Sequence, residues 1–305
     1  MTKNILITGG TGLVGTRLTE KLLERGYKVS YLSRHAGEGR IKKYRWDLKT
    51  GYLDESAIKE ADGIVHLAGA GVFDKRWTPE YKKEIMDSRI DSTSLLAEKL
   101  ASVSHHVKSV ICASAIGLYG FDTGDAWQLE SAPTGEGFLA EVTCQWEKAI
   151  AKIEATAIRT VKLRIGIVLS KTGGALKEMG TPVKYFIGSP FGSGKQYVSW
   201  IHIDDLCEQF IYALENDQMI GAYNAVAPDP VTNQTLIKEI AHTLKRPLWV
   251  PNVPRFALKL VVGSEAADVL LGGNRVSSKK IADQGFKFTY PGLRLALEQL
   301  LQNHK

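Results

Sequence analysis

The start of the chain alternates short apolar runs with a helical pattern. Asn4–Thr8 has an apolar centre and stops at a cluster of glycines, which is typical of a buried parallel strand. Hydrophobic residues then recur at helical spacing until Gly26, which suits a helix end, and Lys28–Ser33 has the pattern of a second strand. The order of strand, glycine turn, helix and strand predicts a βαβ unit.

The same alternation continues well beyond this unit. Further strand-like segments are predicted at 62–69, 107–113 and 161–169. Helical patterns lie between them, at 81–100 and 138–153. Repeated alternation of strands and helices predicts an α/β protein with a doubly wound parallel sheet.

The rest of the chain predicts a smaller second lobe. A stretch rich in glycine and proline begins at Gly173 and is expected to be mostly loop, and 223–228 has the pattern of a strand that returns to the main sheet. Amphipathic helical patterns follow at 232–244 and 255–271. We therefore expect two domains, with these boundaries: a first domain over 1–170 to which 200–228 returns, and a C-terminal α/β lobe over 171–199 and 229–305.

The glycines of the first turn have a spacing that suits phosphate binding. Gly9, Gly12 and Gly15 form a GxxGxxG pattern, and Gly10 adds another glycine. A turn this tight needs residues without a Cβ, and a diphosphate is then able to approach the amides at the positive end of the helix dipole. Gly15 allows the helix to pack closely on the strand. Between a strand and a helix, this pattern predicts a dinucleotide-binding loop.

The end of the second predicted strand indicates which dinucleotide binds. NAD-binding proteins usually place an acidic residue there, which binds the ribose 2′-hydroxyl. This chain has Ser33 and Arg34 instead, and the guanidinium of Arg34 suits a 2′-phosphate. We therefore predict NADP(H) as the cofactor. The alternative is that Arg34 is a solvated surface residue.

Charge and cysteine content argue against several classes of protein, including nucleic-acid-binding and disulfide-rich proteins. The 305-residue chain has 39 Lys and Arg against 33 Asp and Glu, a formal net charge of +6, with both signs mixed along its length. This surplus suits a small anionic ligand, and no basic block or helix-turn-helix pattern predicts nucleic-acid binding. Three separated cysteines argue against a disulfide scaffold, and no CxxC or paired-histidine spacing predicts a metal site. With no long apolar run and no leader segment, we expect a cytoplasmic protein that does not bind membranes.

Several motifs together resemble a known family. They lie at 8–15, 66–69, 88–93, 114–120, 146–147, 192–196 and 199–205, and in the tail at 253–291. The sequence is similar to extended short-chain dehydrogenases/reductases. More narrowly, it resembles the branch of epimerase-family and nucleoside-diphosphate-sugar epimerase proteins that has a C-terminal domain of unknown function. The resemblance covers nearly the whole chain.

This resemblance implies a Rossmann fold that binds NADP(H) and a C-terminal domain that binds the substrate. The nucleotide contacts of the family correspond here to Gly9, Gly10, Thr11, Gly12, Leu13, Val14, Gly15, Ser33, Arg34, Leu67, Ala68, Gly69, Glu84 and Arg89. Glu84 and Arg89 are five residues apart, so a bend or a helix end would be needed to bring them together. Asp47 is a further candidate that would contact the adenine amino group, and the alternative is a turn or helix-cap residue.

The catalytic set that the resemblance implies is incomplete. The family uses serine, tyrosine and lysine, with the tyrosine as acid/base and the lysine four residues after it. The helix predicted at 138–153 has no tyrosine, and its first lysine is Lys148. Ser114 and Tyr119 match family positions at the substrate and are the catalytic candidates that remain. Glu141 or Cys144 could replace the tyrosine, although such residues are more often solvated or buried structural ones.

Three residues of the second lobe are candidates for the substrate pocket. Lys195 would bind an anionic group, and a solvent-facing lysine is the alternative. Trp200 and His202 lie on an alternating segment that passes near the substrate in the family, and a hydrogen-bonded structural histidine is the alternative for His202. Asp204 and Asp205 precede a helical pattern, so one of them is expected to cap that helix.

Two functions of different classes agree with these residues. The first is an NADP-dependent oxidoreductase or epimerase with a non-standard catalytic site, acting on a small molecule such as a nucleotide sugar or a carbonyl compound. The second is an NADP(H)-binding redox sensor or regulator without turnover. The absent tyrosine and lysine favour the second, and the pocket motifs favour the first. Because the pattern at 255–271 suits either a core or a dimer face, monomer and homodimer both remain open.

Overall fold

The computed structural model describes residues 3–302, and the chain divides into two compact units. The first unit takes the chain up to residue 114 together with 142–164 and 207–223. The second takes 115–141, 165–206 and the chain from 224 onwards. The domain boundaries predicted from the sequence, 1–170 with 200–228 and 171–199 with 229–305, stay a prediction.

The elements of the chain up to residue 170 include the predicted strands and helices, and further short elements that the pattern did not predict lie at 42–59 and 116–128. They are β1 (Asn4–Thr8), α1 (Leu13–Glu24), β2 (Lys28–Ser33), β3 (Lys42–Asp47), β4 (Tyr52–Leu53), α2 (Ser56–Lys59), β5 (Gly63–His66), α3 (Pro79–Ser102), β6 (Ser109–Ala115), a 3-10 turn (Ile116–Tyr119), β7 (Trp127–Gln128), α4 (Phe138–Glu154), β8 (Arg159–Ile165) and β9 (Ile167–Leu169). The segment predicted as one strand at 161–169 is thus two strands, which pair with different partners.

Shorter elements follow, and helices dominate among them. They are α5 (Ala175–Lys184), β10 (Tyr197–Val198), β11 (Trp200–His202), α6 (Ile203–Glu215), β12 (Gly221–Ala225), β13 (Val231–Thr232), α7 (Asn233–Thr243), α8 (Arg255–Val262), α9 (Ser264–Leu271), β14 (Arg275–Val276), α10 (Lys279–Asp283) and α11 (Leu293–Leu301). Each helix within residues 3–302 is too short or too polar to cross a lipid bilayer.

The main sheet has eight strands in the order β12-β8-β6-β5-β1-β2-β3-β4. β1 pairs in parallel with both β2 and β5, and this parallel pairing continues from β2 to β3 and from β5 to β6. The strand order reverses at β1, where Thr8 lies opposite His66 on one side and Leu32 on the other. The doubly wound α/β fold is therefore confirmed, and ligands of such sheets bind at this reversal point.

The βαβ unit forms where the apolar pattern places it. Ile5, Leu6 and Ile7 of β1 are buried, and so is the face of α1 that includes Leu18 and Leu22. α1 ends at Glu24, and the positive φ of 78° at Gly26 lets the Tyr27 amide donate to the Leu22 carbonyl at 3.0 Å.

The structure corrects two local expectations in the second half of the chain. The stretch expected to be mostly loop contains α5, because Leu176 and Val183, seven residues apart, bury one face of an amphipathic helix despite the glycines and Pro182. Neither Asp204 nor Asp205 caps a helix, since α6 already begins at Ile203. The Asp205 carboxylate instead accepts hydrogen bonds from two backbone amides of the loop at 289–290, both at 2.9 Å.

Candidate functional site

The loop between β1 and α1 leaves the first amides of the helix uncapped. Gly12 occupies the N-cap position, provides no side chain to cap the helix, and donates its own amide to Gly9 at 3.0 Å. The first turn of α1 contains no acidic residue. The amides of the first helical residues have no intrahelical acceptor, so their partial positive charge faces whatever approaches the loop.

Two glycines make this loop possible. Gly9 has a φ of 69°, in the left-handed region that side chains disfavour, and a Cβ there would lie 3.0 Å from the Leu67 carbonyl. A Cβ on Gly15 would collide with the Gly9 carbonyl oxygen. Together with the uncapped amides, this close backbone approach fits a diphosphate group.

The residues at the end of β2 include a positively charged side chain and no acidic one. Arg34, the next residue after Ser33, is exposed, and within residues 3–302 it makes no ion pair. Asp47, at the end of β3, accepts a hydrogen bond from the Lys49 amide at 3.0 Å, which lowers the pKa of its carboxyl. That contact favours the turn alternative for Asp47 over an adenine contact.

His66, at the end of β5, is fully buried between two threonines that lie far from it in sequence. Its Nδ1 lies 2.8 Å from the Thr8 hydroxyl, and its Nε2 lies 2.9 Å from the Thr93 hydroxyl. The Thr8 oxygen also accepts the amides of Leu67 and Ala68, both at 3.0 Å. Two donors fill its lone pairs, so the Thr8 hydrogen must point to Nδ1, and His66 carries its own hydrogen on Nε2.

The hydrogen bonds at Thr93, the other end of this network, also have only one possible direction. The Thr93 oxygen receives the Nε2 hydrogen of His66 and the indole N–H of Trp146 at 3.2 Å, and donates its own hydrogen to the Arg89 carbonyl at 2.6 Å. We call Thr8, His66, Thr93 and Trp146 the His66 chain. Burial lowers the pKa of His66 to about 4. The ring is therefore neutral at neutral pH, as the hydrogen-bond directions require.

The His66 chain supports the segment that follows β5, where nucleotide contacts are predicted. Leu67 and Ala68 are half-buried, and their amides are held by Thr8. The Arg89 guanidinium reaches this segment from α3, donating to the Ala70 carbonyl at 3.0 Å, and a Cβ on Gly69 would lie 3.2 Å from its side chain. Arg89 also lies 5.2 Å from the Trp146 ring.

Arg89 has no carboxylate partner within the described residues. Burial lowers its pKa to about 10, so the side chain is still cationic at neutral pH. Glu84, five residues earlier on the same unbroken helix, is exposed and pairs with Lys75 at 3.1 Å. The structure therefore does not bring Glu84 and Arg89 together, and only the arginine is placed against the predicted nucleotide segment.

The inner face of α4 carries a buried ion pair in a region where the family uses tyrosine and lysine. Arg164 donates to both oxygens of Glu147, at 2.8 and 3.0 Å. Ser114, only 2% exposed, donates its hydroxyl hydrogen to the same carboxylate at 2.6 Å. Burial alone would raise the pKa of Glu147, but the hydrogen bonds from Arg164 and Ser114 hold it below its usual value. Glu147 is thus an anion, and the Ser114 hydrogen is already engaged.

The predicted residues of the second unit are mostly buried and bonded. Tyr119 donates to the side-chain oxygen of Asn224 at 2.6 Å. Trp200 is fully buried, with its indole N–H on the Asp229 carbonyl. His202 accepts the Asp204 amide and stacks on a tyrosine ring, which favours its structural alternative. Lys195 is the one of these four that is exposed.

Sequence reasoning did not assign the residues that hold the site together. His66, Thr93, Trp146 and Glu147 fall inside motifs that carry the family resemblance, but the pattern gave them no role. A histidine at the end of an otherwise apolar strand was the available signal, because a buried polar side chain needs partners.

The chain is similar to known proteins over nearly its whole length. Residues 5–226 match the model of the NAD dependent epimerase/dehydratase family, and residues 253–300 match a domain of unknown function, DUF1731. The chain is 38% identical over 305 residues to epimerase family protein YfhF of Bacillus subtilis, covering 99% of both chains.

Two solved structures are also similar. Human epimerase family protein SDR39U1, solved with NADPH, is 31% identical with a TM-score of 0.89, covering 98% of this chain and 99% of that one. A nucleoside-diphosphate sugar epimerase from Corynebacterium glutamicum is 32% identical with a TM-score of 0.81, covering 99% of this chain and 58% of that one. The chain described here therefore belongs to the NAD dependent epimerase/dehydratase family.

Proposed function

We propose that this protein is an NADP(H)-dependent oxidoreductase or epimerase with a non-standard catalytic site. One observation carries the proposal. The uncapped start of α1 lies in a glycine loop at the reversal point of the sheet, and the adjacent strand β2 ends at an exposed arginine where an NAD-binding protein would have an acid. The human relative solved with NADPH supports the same cofactor.

The residues that would hold NADP(H) have distinct roles. The amides at the start of α1 bind the diphosphate, and Arg34 binds the 2′-phosphate through its guanidinium. Leu67 and Ala68 form a wall whose backbone is fixed by Thr8. Arg89 adds a second cation beside that wall. The bound nicotinamide would supply hydride transfer to or from a carbon atom of a small substrate, such as a nucleotide sugar or a carbonyl compound.

The site is non-standard because it lacks the family's usual group for transferring a proton to or from the substrate. α4 has no tyrosine, and its buried Glu147 is held as an anion by Arg164 and Ser114. An anion with a lowered pKa does not donate a proton at neutral pH. Ser114 contributes to this arrangement by positioning Glu147, and the acid/base group of the proposed reaction is not the family's usual tyrosine.

The same observation favours a second candidate, an NADP(H)-binding redox sensor without turnover. Such a protein needs the nucleotide loop and Arg34 but no acid/base group. Excess NADPH is incubated with a panel of carbonyl compounds and nucleotide sugars, and its absorbance is followed. Steady oxidation with any member supports the enzyme, whereas tight binding with no oxidation across the panel supports the sensor.

Cofactor choice is tested by titrating the ligand-free protein with NADPH and with NADH. We expect NADPH to bind more tightly by about ten-fold or more, because a charge-assisted contact to the 2′-phosphate is available only in that case. Arg34→Leu should remove most of the preference. Arg255→Leu, which changes an exposed arginine of the second unit, should retain it. Equal affinity for NADH would contradict the proposed cofactor.

A further inference from the structure

The most exposed large hydrophobic side chains within residues 3–302 lie in two stretches of the second unit, at 185–187 and 249–261. The five most exposed ones there have exposed fractions from 69% to 76%. Single exposed hydrophobic residues are ordinary, but several in one region indicate a binding surface. We call this set the Trp249 surface, and it comprises Tyr185, Phe186, Ile187, Trp249, Phe256, Leu260 and Val261.

Backbone and side-chain contacts hold the two stretches side by side. The Arg246 guanidinium lies 4.8 Å from the centre of the Phe186 ring. The Ser189 hydroxyl donates to the Pro251 carbonyl at 2.6 Å, and the Val253 amide donates to the Pro190 carbonyl at 2.9 Å. The helix α8 begins two residues after this last contact, so its first turn lies in the same region.

The helix α8 is apolar on its exposed side as well as on its buried side. Leu258 is buried, whereas Phe256 and Leu260, four residues apart, share an exposed face that Val261 extends. A helix with apolar residues all round is normally buried. The exposed side of α8 therefore suits an apolar partner that residues 3–302 do not provide.

The charge around the Trp249 surface is positive. Residues 179–203 and 240–264 contain no Asp or Glu. Acids that reach this region from other segments include Asp268, which pairs with Arg255 at 2.6 Å, and Glu298, which lines a hollow with Lys245 and Arg246. The cations still outnumber them, and those that form no ion pair within the described residues include Lys184, Lys245, Arg246 and Lys259.

This charge distinguishes between two kinds of apolar partner. In a symmetric contact with a second copy, each surface meets the same surface of its partner, so the cations would face cations. The surface of a bilayer with anionic lipids satisfies both features, because Lys and Arg are attracted to its headgroups while Trp, Tyr and Phe enter the interface. We infer that the Trp249 surface binds the surface of membranes that contain anionic lipids.

This inference goes beyond the proposed function and revises one expectation from the sequence. A protein that does not bind membranes was expected because the chain has no long apolar run and no leader segment. Spanning a bilayer requires such a run. Lying on its surface requires only exposed apolar side chains with cations around them.

Vesicle flotation of the full chain tests the inference. Vesicles of phosphatidylcholine alone are compared with vesicles of phosphatidylcholine and phosphatidylglycerol in equal parts. We expect binding to the anionic vesicles to be tighter by about ten-fold or more, and to weaken at high salt because ions screen the attraction. Absence of binding to the anionic vesicles, or equal binding to both kinds, would overturn the inference.

Variants of exposed apolar residues assign the binding to this surface. Leu260→Gln removes an apolar contact with the bilayer and should weaken binding to the anionic vesicles by about ten-fold. The matched control is Ile220→Gln, which changes an exposed isoleucine of the first unit and should bind as the parent protein does. Equal affinities of the two variants would contradict the assignment.

A second pair of variants tests the cations. Lys245→Gln combined with Lys259→Gln should weaken binding to the anionic vesicles by about ten-fold or more, because each basic residue near the headgroups contributes. Lys279→Gln removes an exposed lysine that is paired with Asp283, and should stay within about two-fold of the parent affinity. Parent-like affinity in the double variant would overturn the electrostatic part of the inference.

Trp249 provides a spectroscopic readout. Its indole should move from water into the bilayer interface, so anionic vesicles should shift the tryptophan emission of the parent protein to shorter wavelengths. Trp249→Phe keeps an aromatic ring and should still bind but lose this shift. An unchanged shift in Trp249→Phe would show that another region contacts the vesicles.

Sedimentation without vesicles tests the competing partner. A dimer that Leu260→Gln dissociates, together with no vesicle binding by the parent protein, would assign the Trp249 surface to a second copy and overturn the inference. Leu260→Gln should bind NADPH as the parent protein does, because the predicted diphosphate loop and Arg34 lie in the first unit. Failure of the vesicle experiments would therefore leave the proposed cofactor untouched.

Discussion

The buried polar groups around His66 and those around Arg275 differ in how completely they are paired. In the His66 chain, two threonine hydroxyls each accept two hydrogens and donate one, and both histidine nitrogens are used. In the second unit, four buried side-chain atoms have no hydrogen-bond partner, namely Thr123 Oγ1, Gln196 Oε1, Asn274 Oδ1 and Arg275 Nε. A network whose donors and acceptors are all paired loses several hydrogen bonds when one member changes, whereas a group that has no hydrogen-bond partner loses none.

The largest expected effect comes from breaking a saturated ion pair in the first unit. Arg164→Met leaves Glu147 buried without its cation, so we expect the free energy of unfolding to fall by about 3–5 kcal/mol. Urea unfolding measures the change. Arg294→Met removes an exposed arginine from its pair with Glu239 and should shift the transition little. Similar small shifts in both variants would contradict the structural importance of the buried pair.

Acid should weaken the His66 chain next most strongly. Folded His66 resists protonation until about pH 4, while a histidine of the unfolded chain takes up a proton near its ordinary pKa of 6.5. Between these values the unfolded state binds more protons, so stability is full above pH 6.5 and falls as the pH is lowered, by up to about 3 kcal/mol.

The measurement is a series of urea unfolding curves over this pH range. His66→Gln should be less stable at neutral pH and lose part of the pH slope, whereas His35→Gln, at an exposed position, should keep it. If the unfolding free energy of His66→Gln depends on pH as steeply as that of the parent protein, the pH dependence comes from carboxylates alone.

A single hydroxyl of the His66 chain should have a smaller but clear effect. Thr93→Val leaves the donors of His66 and Trp146 without an acceptor, so we expect a loss of about 2 kcal/mol. The matched control is Thr243→Val, because the Thr243 hydroxyl only donates to the Glu239 carbonyl within its own helix. Thermal unfolding of both variants provides the comparison, and equal losses would count against the network.

A change at Arg275 should have the smallest effect on stability. Arg275→Met removes a group that has ring contacts but an unpaired N–H, so stability should stay within about 1 kcal/mol of the parent value. Urea unfolding measures the change. A loss as large as that of Arg164→Met would show that Arg275 is a structural residue.

Local patterns predicted the parts of the fold that depend on neighbours in sequence. β1, the glycine loop, α1 and β2 follow from apolar spacing and from Gly9 and Gly15, and the structure has them where predicted. Partners that are remote in sequence could not be predicted in this way. Thr8, His66 and Thr93 are 58 and 27 residues apart along the chain, and no local pattern reveals that three strand and helix positions share one network.

Residue type was also a weak guide to exposure in the second unit. Trp200 and His202 are polar-tipped residues on an alternating segment, which suits a pocket wall, yet both are buried and hydrogen-bonded. In the sequence, Arg275 is only one residue of the tail motifs that carry the family resemblance. That its Nε has no hydrogen-bond partner is visible only in the folded structure. The nucleotide contacts themselves stay predictions that the titrations address.

The one-way order of hydrogens in the His66 chain has a consequence for sequence change. Each threonine oxygen accepts two hydrogens and donates its own. One residue therefore cannot reverse the direction of its hydrogen bond without leaving a neighbouring group unpaired. In a relative that has a residue without a hydroxyl at position 8, the histidine nitrogen and two backbone amides would all lose their hydrogen-bond partner. Substitutions at positions 8, 66, 93 and 146 are therefore expected to occur in combination, as a co-inherited group.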